Sequence, residues 1–280
     1  MRLVEKRNIY YIISLILVVV SLASLATRGL NAGIDFKGGT VLQMNLGATA
    51  TPANVREVLH GLGMDKAEVQ QSGEQYLIRT HELTQEQSGA LIEALQAQYP
   101  GAEYLGADTV GAVIGKELWQ NAIWAVLLGC LAMLVYISFR FEWKFGVAAV
   151  VAEFHDVIIV LGLFSIFQWE INSAFIAAVL TVVGYSINDT IVIFDRIREN
   201  LKSRRKEDFA LLVNRSVLQS LNRSINTVLT CVFALVALIV FGGVTIKYFV
   251  VAMLTGFVFG AYSSIFIASP VWYELNKRFK

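Results

Sequence analysis

Four ionisable side chains stand inside apolar runs long enough to cross a bilayer, and their types suit proton transfer. Asp189 lies in the run Ser173–Phe194, while Glu153, His155 and Asp156 share the run Phe145–Phe167. A charge at the bilayer centre costs ~2.5–3.5 kcal/mol on insertion scales, so function is the default reading of such a residue. Asp189 precedes Asp195 by six residues, which at 1.5 Å per residue sets it ~9 Å inside the charged end of its helix. Thr181, Gly184, Tyr185 and Asn188 recur on its side at spacings of three and four. A polar stripe with a small residue predicts a face turned into a helix bundle rather than toward lipid. A carboxyl group there can load and release a proton; a structural polar contact is the alternative. Glu153 and Asp156 are three apart on one helix face, with Asp156 close to mid-membrane. That mixture of acid and imidazole fits a proton path or a buried packing network, and Glu153 and His155 read as packing. Ahead of the fifth run, which is short unless its helix starts near Arg223, Asn226, Thr227, Thr230 and Cys231 recur on the same face as Arg223, so the helix is expected to begin there. By itself, an arginine at that place also reads as an interfacial cation that snorkels.

These groups need a membrane-spanning scaffold, and the composition supplies one. Of 280 residues, 56% are apolar and 16% are charged, against about 25% charged in soluble domains. Six runs approach or reach the ~17–25 residues of a membrane span: Ile9–Ala26, Ala122–Ser138, Phe145–Phe167, Ser173–Phe194, Val228–Phe241 and Phe249–Ala268. The first run is too long for the core of a cleaved signal and reads as a retained helix. Lys and Arg concentrate at the N-terminus (Arg2, Lys6, Arg7), in the second–third loop (Arg140, Lys144), between the fourth and fifth runs (Arg196, Arg198, Lys202, Arg204, Arg205, Lys206, Arg215, Arg223) and in the tail (Lys277, Arg278, Lys280). The positive-inside rule therefore predicts both termini in the cytoplasm, and Trp119, Trp143, Trp169 and Trp272 mark aromatic belts at span ends. Phe209, Leu212, Val213 and Val217 predict an apolar helix face lying on the membrane surface. Net charge of +1 gives no footprint for nucleic acid. Cys130 and Cys231 read as packing residues.

The polar segment after the first run predicts a small α+β domain on the outer side. Thr40–Asn45, Ala67–Gln71, Gln75–Thr80 and Ala102–Leu105 read as strands. Thr51-Pro52 and Thr84 open helices that close at Gly61 and Pro100-Gly101. The order β-α-β-β-α-β is that of a ferredoxin-like unit. The chain then divides into residues 1–27 (N-terminus and first span), 28–118 (outer domain) and 119–280 (five spans with a cytoplasmic loop at 195–223). The expected fold is a polytopic α-helical membrane protein of six spans with one periplasmic α+β domain between the first two. His60 and His81 stand alone as surface residues.

Enzyme motifs fail on spacing. Gly111 to Glu117 has the wrong glycine spacing for a phosphate loop and Glu117 where Ser or Thr would bind magnesium. Gly184-Tyr185-Ser186-Ile187-Asn188 lacks the second glycine of a nucleophile elbow. No Cys and His spacing suits a metal. Neither a catalytic residue nor a cofactor is expected.

Three stretches resemble the SecF family of protein-export membrane proteins. The first is Gly33-Ile34-Asp35-Phe36-Lys37-Gly38-Gly39-Thr40. The second runs from Gly184-Tyr185-Ser186-Ile187-Asn188-Asp189-Thr190 into Phe194-Asp195-Arg196-Ile197-Arg198-Glu199-Asn200, and the third is Asn214-Arg215-Ser216 with Asn222-Arg223-Ser224-Ile225-Asn226-Thr227. Gly33, Asp35, Gly38, Gly39 and Gly184 are motif positions in this resemblance. It implies a SecF-like subunit in the inner membrane that pairs with a separate SecD and acts beside the SecYEG channel, with YajC as a further accessory. The pair would use the proton motive force to promote export of a translocating preprotein. It also implies a plan similar to resistance-nodulation-division transporters, and a proton relay in which Asp189 works with Arg223; Asn188 and Asp156 are the further relay candidates read from the residues themselves. Half of a proton-driven small-molecule exporter of that superfamily is the alternative, since the same membrane machinery serves both. Membrane lipids surround either.

Overall fold

The computed structural model describes residues 2–203 and 207–278. Arg204, Arg205, Lys206 and Lys280, counted above for orientation, lie outside the described residues. In chain order the elements are α1 (Arg7–Arg28), a short α2 (Ile34–Lys37), β1 (Gly39–Asn45), α3 (Pro52–Gly61), β2 (Glu68–Ser72), β3 (Gln75–Thr80), α4 (Gln85–Gln98) and β4 (Glu103–Val110). Then follow α5 (Ala112–Arg140), α6 (Trp143–Phe167), α7 (Ser173–Lys202), α8 (Phe209–Phe241), α9 (Lys247–Ser263), a π-helical turn at Ser264–Ala268 and α10 (Ser269–Arg278). Six helical stretches are long and apolar enough to cross a bilayer: α1, α5, α6, α7, α8 and the continuous run Lys247–Arg278. The chain separates into two compact units, one of 1–31, 124–242 and 247–280, the other of 32–123 and 243–246.

In the helical unit, α6, α7 and the last span are about half buried, while α1, α5 and α8 expose most of their apolar surface. Exposed apolar side chains such as Ile12, Leu15 and Phe233 are the surface a bilayer covers. α1 buries only Ser14 and Ser21 along its length, which lets its backbone approach α6 closely. The core gathers Phe145, Ala148, Ala149, Val183, Phe194, Ile197, Leu212, Val213, Val217 and Trp272. Two expectations change here. Leu212, Val213 and Val217 pack inward instead of lying on the membrane surface, because Ile197 and Trp272 offer them apolar partners and Phe209 stacks on Tyr273. Trp272 is 1% exposed and stacked on Phe145, so it is a core residue and not part of an aromatic belt.

The segment expected as a charged loop at 195–223 is almost entirely helix. α7 continues to Lys202 and α8 begins at Phe209, so the fifth helix starts about five turns before the apolar run at Val228 does. Cross-helix bonds hold these extensions: the Asn200 amide donates to Ser216 Oγ at 2.8 Å and Gln219 Oε1 at 2.9 Å, and Arg196 Nε donates to Gln219 Oε1 at 2.8 Å. Helices can run past the apolar run because their backbone bonds are internal and the protruding turns pair with each other.

In the other unit, four antiparallel strands run in the order β2-β3-β1-β4, with Leu42 opposite both Ile78 and Ala107. α3 and α4 follow β1 and β3, giving the sequential order β-α-β-β-α-β. Thr51 caps α3 by accepting from Asn54 N at 3.3 Å, and Thr84 with Gln87 closes a capping box on α4. Leu42, Met44, Val55, Leu59, Tyr76, Ile78, Leu91 and Leu95 form a core of their own. β4 runs to Val110, longer than the stretch to Leu105 read from sequence, because β1 pairs with it as far as Gly39↔Val110. The fragment 33–113 is expected to fold alone, giving a mixed α/β circular-dichroism spectrum and a cooperative melt. A random-coil spectrum from the soluble fragment would contradict it.

The Gly33–Thr40 stretch is a tight corner leading into β1. Gly33 O accepts from the amides of Phe36 and Lys37, at 3.1 and 3.0 Å, forming the single turn α2. Gly38 and Gly39 then take φ of +79° and +137°, values that side chains resist. A Cβ at Gly39 would lie 2.5 Å from Thr80 O, and one at Gly38 2.9 Å from Ala112 Cα. The pair is glycine because backbone occupies the space a side chain needs.

Candidate functional site

The third, fourth, fifth and last spans bring the ionisable groups into two separate buried positions. Asp189, 8% exposed, lies between α7 and α8. Its Oδ1 accepts a hydrogen bond from Ser224 Oγ at 2.6 Å, and its Oδ2 is buried with no partner among the described residues. A carboxyl with one oxygen anchored and the other open holds a fixed orientation while keeping an oxygen free for a proton. Tyr185, one turn earlier, stacks on Phe257 with its hydroxyl buried and likewise unpartnered.

Arg223 is adjacent to Ser224 but exposed, and it makes no ion pair with Asp189 in this conformation. Successive helix residues point about 100° apart, so the serine and not the arginine faces the carboxyl. Thr181, Gly184 and Asn188 are exposed as well, and a Cβ at Gly184 would meet nothing within 4 Å. The polar stripe of α7 therefore faces out of this chain's own bundle, one helix position round from Asp189. The same holds for α8. Asn226, Thr227 and Thr230 are exposed, and the buried line is Ser216, Ser220, Ser224 and Leu235. Sequence periodicity detects a polar face but not which neighbour covers it. Ser224 is small and lies inside the polar motif, so its residue type alone does not mark it in the sequence. Its four-residue spacing from Ser216 and Ser220 was the available signal.

Asp156 is fully buried at the junction of α6, α7 and the last span. Its Oδ2 accepts from Ser186 Oγ at 2.7 Å and Ser263 Oγ at 2.6 Å, and its Oδ1 lies 2.9 Å from His155 Nδ1. His155 stacks on Tyr262, whose hydroxyl reaches Ser14 Oγ (3.2 Å) and donates to Tyr10 O (3.3 Å) on α1. Glu153 is 8% exposed with Oε1 buried and without a partner among the described residues. Ser263 and Ser264 went unnoticed as site residues in the sequence, although two adjacent serines inside an apolar span were a visible irregularity. Of the residues expected to cooperate, the structure thus sets Asp189 of α7 against α8 and Asp156 of α6 against α7 and the last span, and leaves Arg223 and Asn188 exposed.

Comparisons with known proteins match almost the whole chain. The family model described as "Protein export membrane protein SecD/SecF, C-terminal" matches residues 90–278, and that of the "SecD/SecF GG Motif" matches residues 23–50, which include Gly38 and Gly39. A protein named "Protein translocase subunit SecF" from Sebaldella termitidis is 42% identical over 100% of this chain and 93% of its own length. Another of that name from Acidaminococcus fermentans is also 42% identical, with 99% and 98% covered. The crystal structure of SecDF, a translocon-associated membrane protein from Thermus thermophilus, superposes with a TM-score of 0.90 at 36% identity over 99% of this chain. This chain spans 38% of the length of that one. SecDF in a super-membrane-facing form gives a TM-score of 0.75 at the same 36% identity. With six apolar helices and these relatives, the chain is a multi-pass membrane protein, and it belongs to the SecF family of protein-export membrane proteins.

Proposed function

We propose that this chain is the SecF subunit of a protein translocase, using the proton gradient with a SecD partner to promote export of polypeptide through the SecYEG channel. The observation that carries the proton-driven part is Asp189: a carboxyl inside a span, held at one oxygen by Ser224 and open at the other. In the relay, Asp189 takes up and releases the proton. Arg223, next to Ser224 on α8, is the cation that a rotation of α8 would bring to the carboxylate, since an adjacent positive charge favours the ionised form. Asn188 lies beside the pathway at the outer face of α7, and Asp156 acts on the pathway from α6 by holding α7 through Ser186.

The exposed stripe of Thr181, Gly184 and Asn188, facing out of the bundle, is the surface for SecD, a separate polypeptide. Small and polar residues allow close helix approach within a bilayer. The distribution of Lys and Arg supports an inner-membrane chain with both termini in the cytoplasm. The α/β unit is then a periplasmic ferredoxin-like domain between the first two spans, and residues 28–118 are its sequence limits. The preprotein is its substrate, YajC a further accessory, and neither a catalytic residue nor a cofactor is required. The names of the relatives favour this reading over a small-molecule exporter half. The test is reconstitution. Inverted vesicles lacking this chain should lose the part of preprotein translocation that an uncoupler removes, and regain it when the chain and SecD are returned together. Restoration by the chain without a functional SecD would overturn the paired mechanism.

A further inference from the structure

Asp156 binds three helices through one side chain. Ser186 belongs to α7, Ser263 ends α9, and His155 is its neighbour on α6; all of them are buried. Directly after Ser263 the last span widens into the π-helical turn Ser264–Ala268. Such turns are rare and cluster at functional sites. Ser264 Oγ lies 2.7 Å from Thr190 Oγ1 and donates to Ser186 O at 3.4 Å, while Ser269 Oγ donates to Ser264 O at 3.1 Å. Of two consecutive serines of the last span, Ser263 thus grips Asp156 on α6 and Ser264 grips α7. Gly260 permits this approach, since a Cβ there would lie 3.0 Å from Ser186 Cβ. On α7 the gripped residues are Ser186 and Thr190, and Asp189 lies three residues after the first and next to the second. Wherever the last span and α6 hold Ser186 and Thr190, they also fix how Asp189 is presented to α8.

We propose that Asp156 is a positioning residue for Asp189: it clamps α7 and the last span onto α6, and carries no proton itself. This rests on the reading of Asp189 as the proton relay. The chemistry separates a clamp from a relay stop. Both hydroxyls bond the same oxygen, Oδ2. An asparagine carbonyl oxygen has two lone pairs and can accept both, with its NH2 turned to His155 Nδ1. Asp156→Asn therefore keeps the clamp and removes the titratable group, whereas Asp156→Leu removes both. The double variant Ser186→Ala with Ser263→Ala removes the clamp and keeps the carboxyl.

The measurement uses the full chain with its SecD partner in inverted vesicles, together with infrared spectra of the purified pair. The carboxyl band of Asp189 is identified as the one lost in Asp189→Asn. We expect Asp156→Asn to retain uncoupler-sensitive export to within about threefold and to leave that band in place. Both Asp156→Leu and the double serine variant should lose about tenfold and displace the band, with chain and SecD recovered in normal amounts. If Asp156→Asn abolishes the gradient-driven part as Asp189→Asn does, Asp156 is a relay stop and the clamp is wrong. If the serine variant leaves the Asp189 band unmoved, the clamp does not reach Asp189 and the inference is likewise overturned. Asp189→Asn retaining uncoupler-sensitive export would instead defeat the relay reading, and the clamp would fall with it.

Discussion

Vesicles carrying Asp189→Asn should translocate preprotein at the rate that ATP-driven components supply, and lose the increment that an uncoupler removes from wild type. Asparagine is nearly the shape of aspartate, and its carbonyl can still accept the 2.6 Å bond from Ser224, so insertion, stability and SecD pairing should persist. What disappears is the open oxygen that can be protonated. A proton crossing 100 mV releases about 2.3 kcal/mol, and without a group to load and unload, that energy cannot drive a conformational cycle. The measurement is translocation into inverted vesicles with and without uncoupler. If Asp189→Asn vesicles remain as uncoupler-sensitive as wild type, the carboxyl is structural.

Gly162→Val should produce the largest loss of assembly within the helical unit. α1 docks on α6 through small residues, and a Cβ at Gly162 would collide with the Cβ and Oγ of Ser21 and come within 2.7 Å of Ser21 Cα. Because backbone is part of the obstruction, no rotamer change relieves it, and α1 must move away. The bonds that the docking aligns would separate with it, among them Ser24 Oγ to Ser165 Oγ at 2.8 Å and Ser14 Oγ to Tyr262 at 3.2 Å. Overpacking of this kind costs ~1–3 kcal/mol, occasionally more. The variant is expected to melt several degrees lower in detergent and to be recovered in reduced amounts. Gly184→Ala, where a Cβ meets nothing within 4 Å, should melt in the isolated chain at the wild-type temperature or slightly above, since alanine is the better helix former. Equal melting of wild type and Gly162→Val would show that α1 is not packed as described.

Much of this protein is written in local patterns. Apolar runs of spanning length follow from the cost of placing unpaired backbone and charge in hydrocarbon, so six spans are legible without coordinates. Thr51 and Thr84 announce helix starts because a side-chain oxygen there satisfies a backbone amide no other residue of the helix can reach. Alternation in Thr40–Asn45 and Gln75–Thr80 marks strands with one buried face. Asp189 and Asp156 stand out because ionisable groups are rare in such runs. These features depend on neighbours close in sequence.

Span ends were less legible, because hydropathy stops where lysines and arginines begin while the helix does not. α7 and α8 extend through charged turns by bonding to each other, as Asn200 does to Ser216 and Gln219, a pairing of residues sixteen and more positions apart.

The sequence by itself determined the membrane class, the number of spans, the turn residues of the α/β unit and the two carboxyls worth testing. Each of these is a matter of local propensity or of transfer between water and lipid. Only the tertiary structure decided which helix face is covered. It turned Thr181, Gly184 and Asn188 outward, set Ser224 rather than Arg223 against Asp189, and joined Asp156 to Ser263, a residue 107 positions away. A polar stripe has the same periodicity whether it meets solvent, lipid or another chain, and long-range hydrogen bonds leave no spacing to read. Which partner fills a face depends on the packing of whole helices, and that is settled only when all six are together.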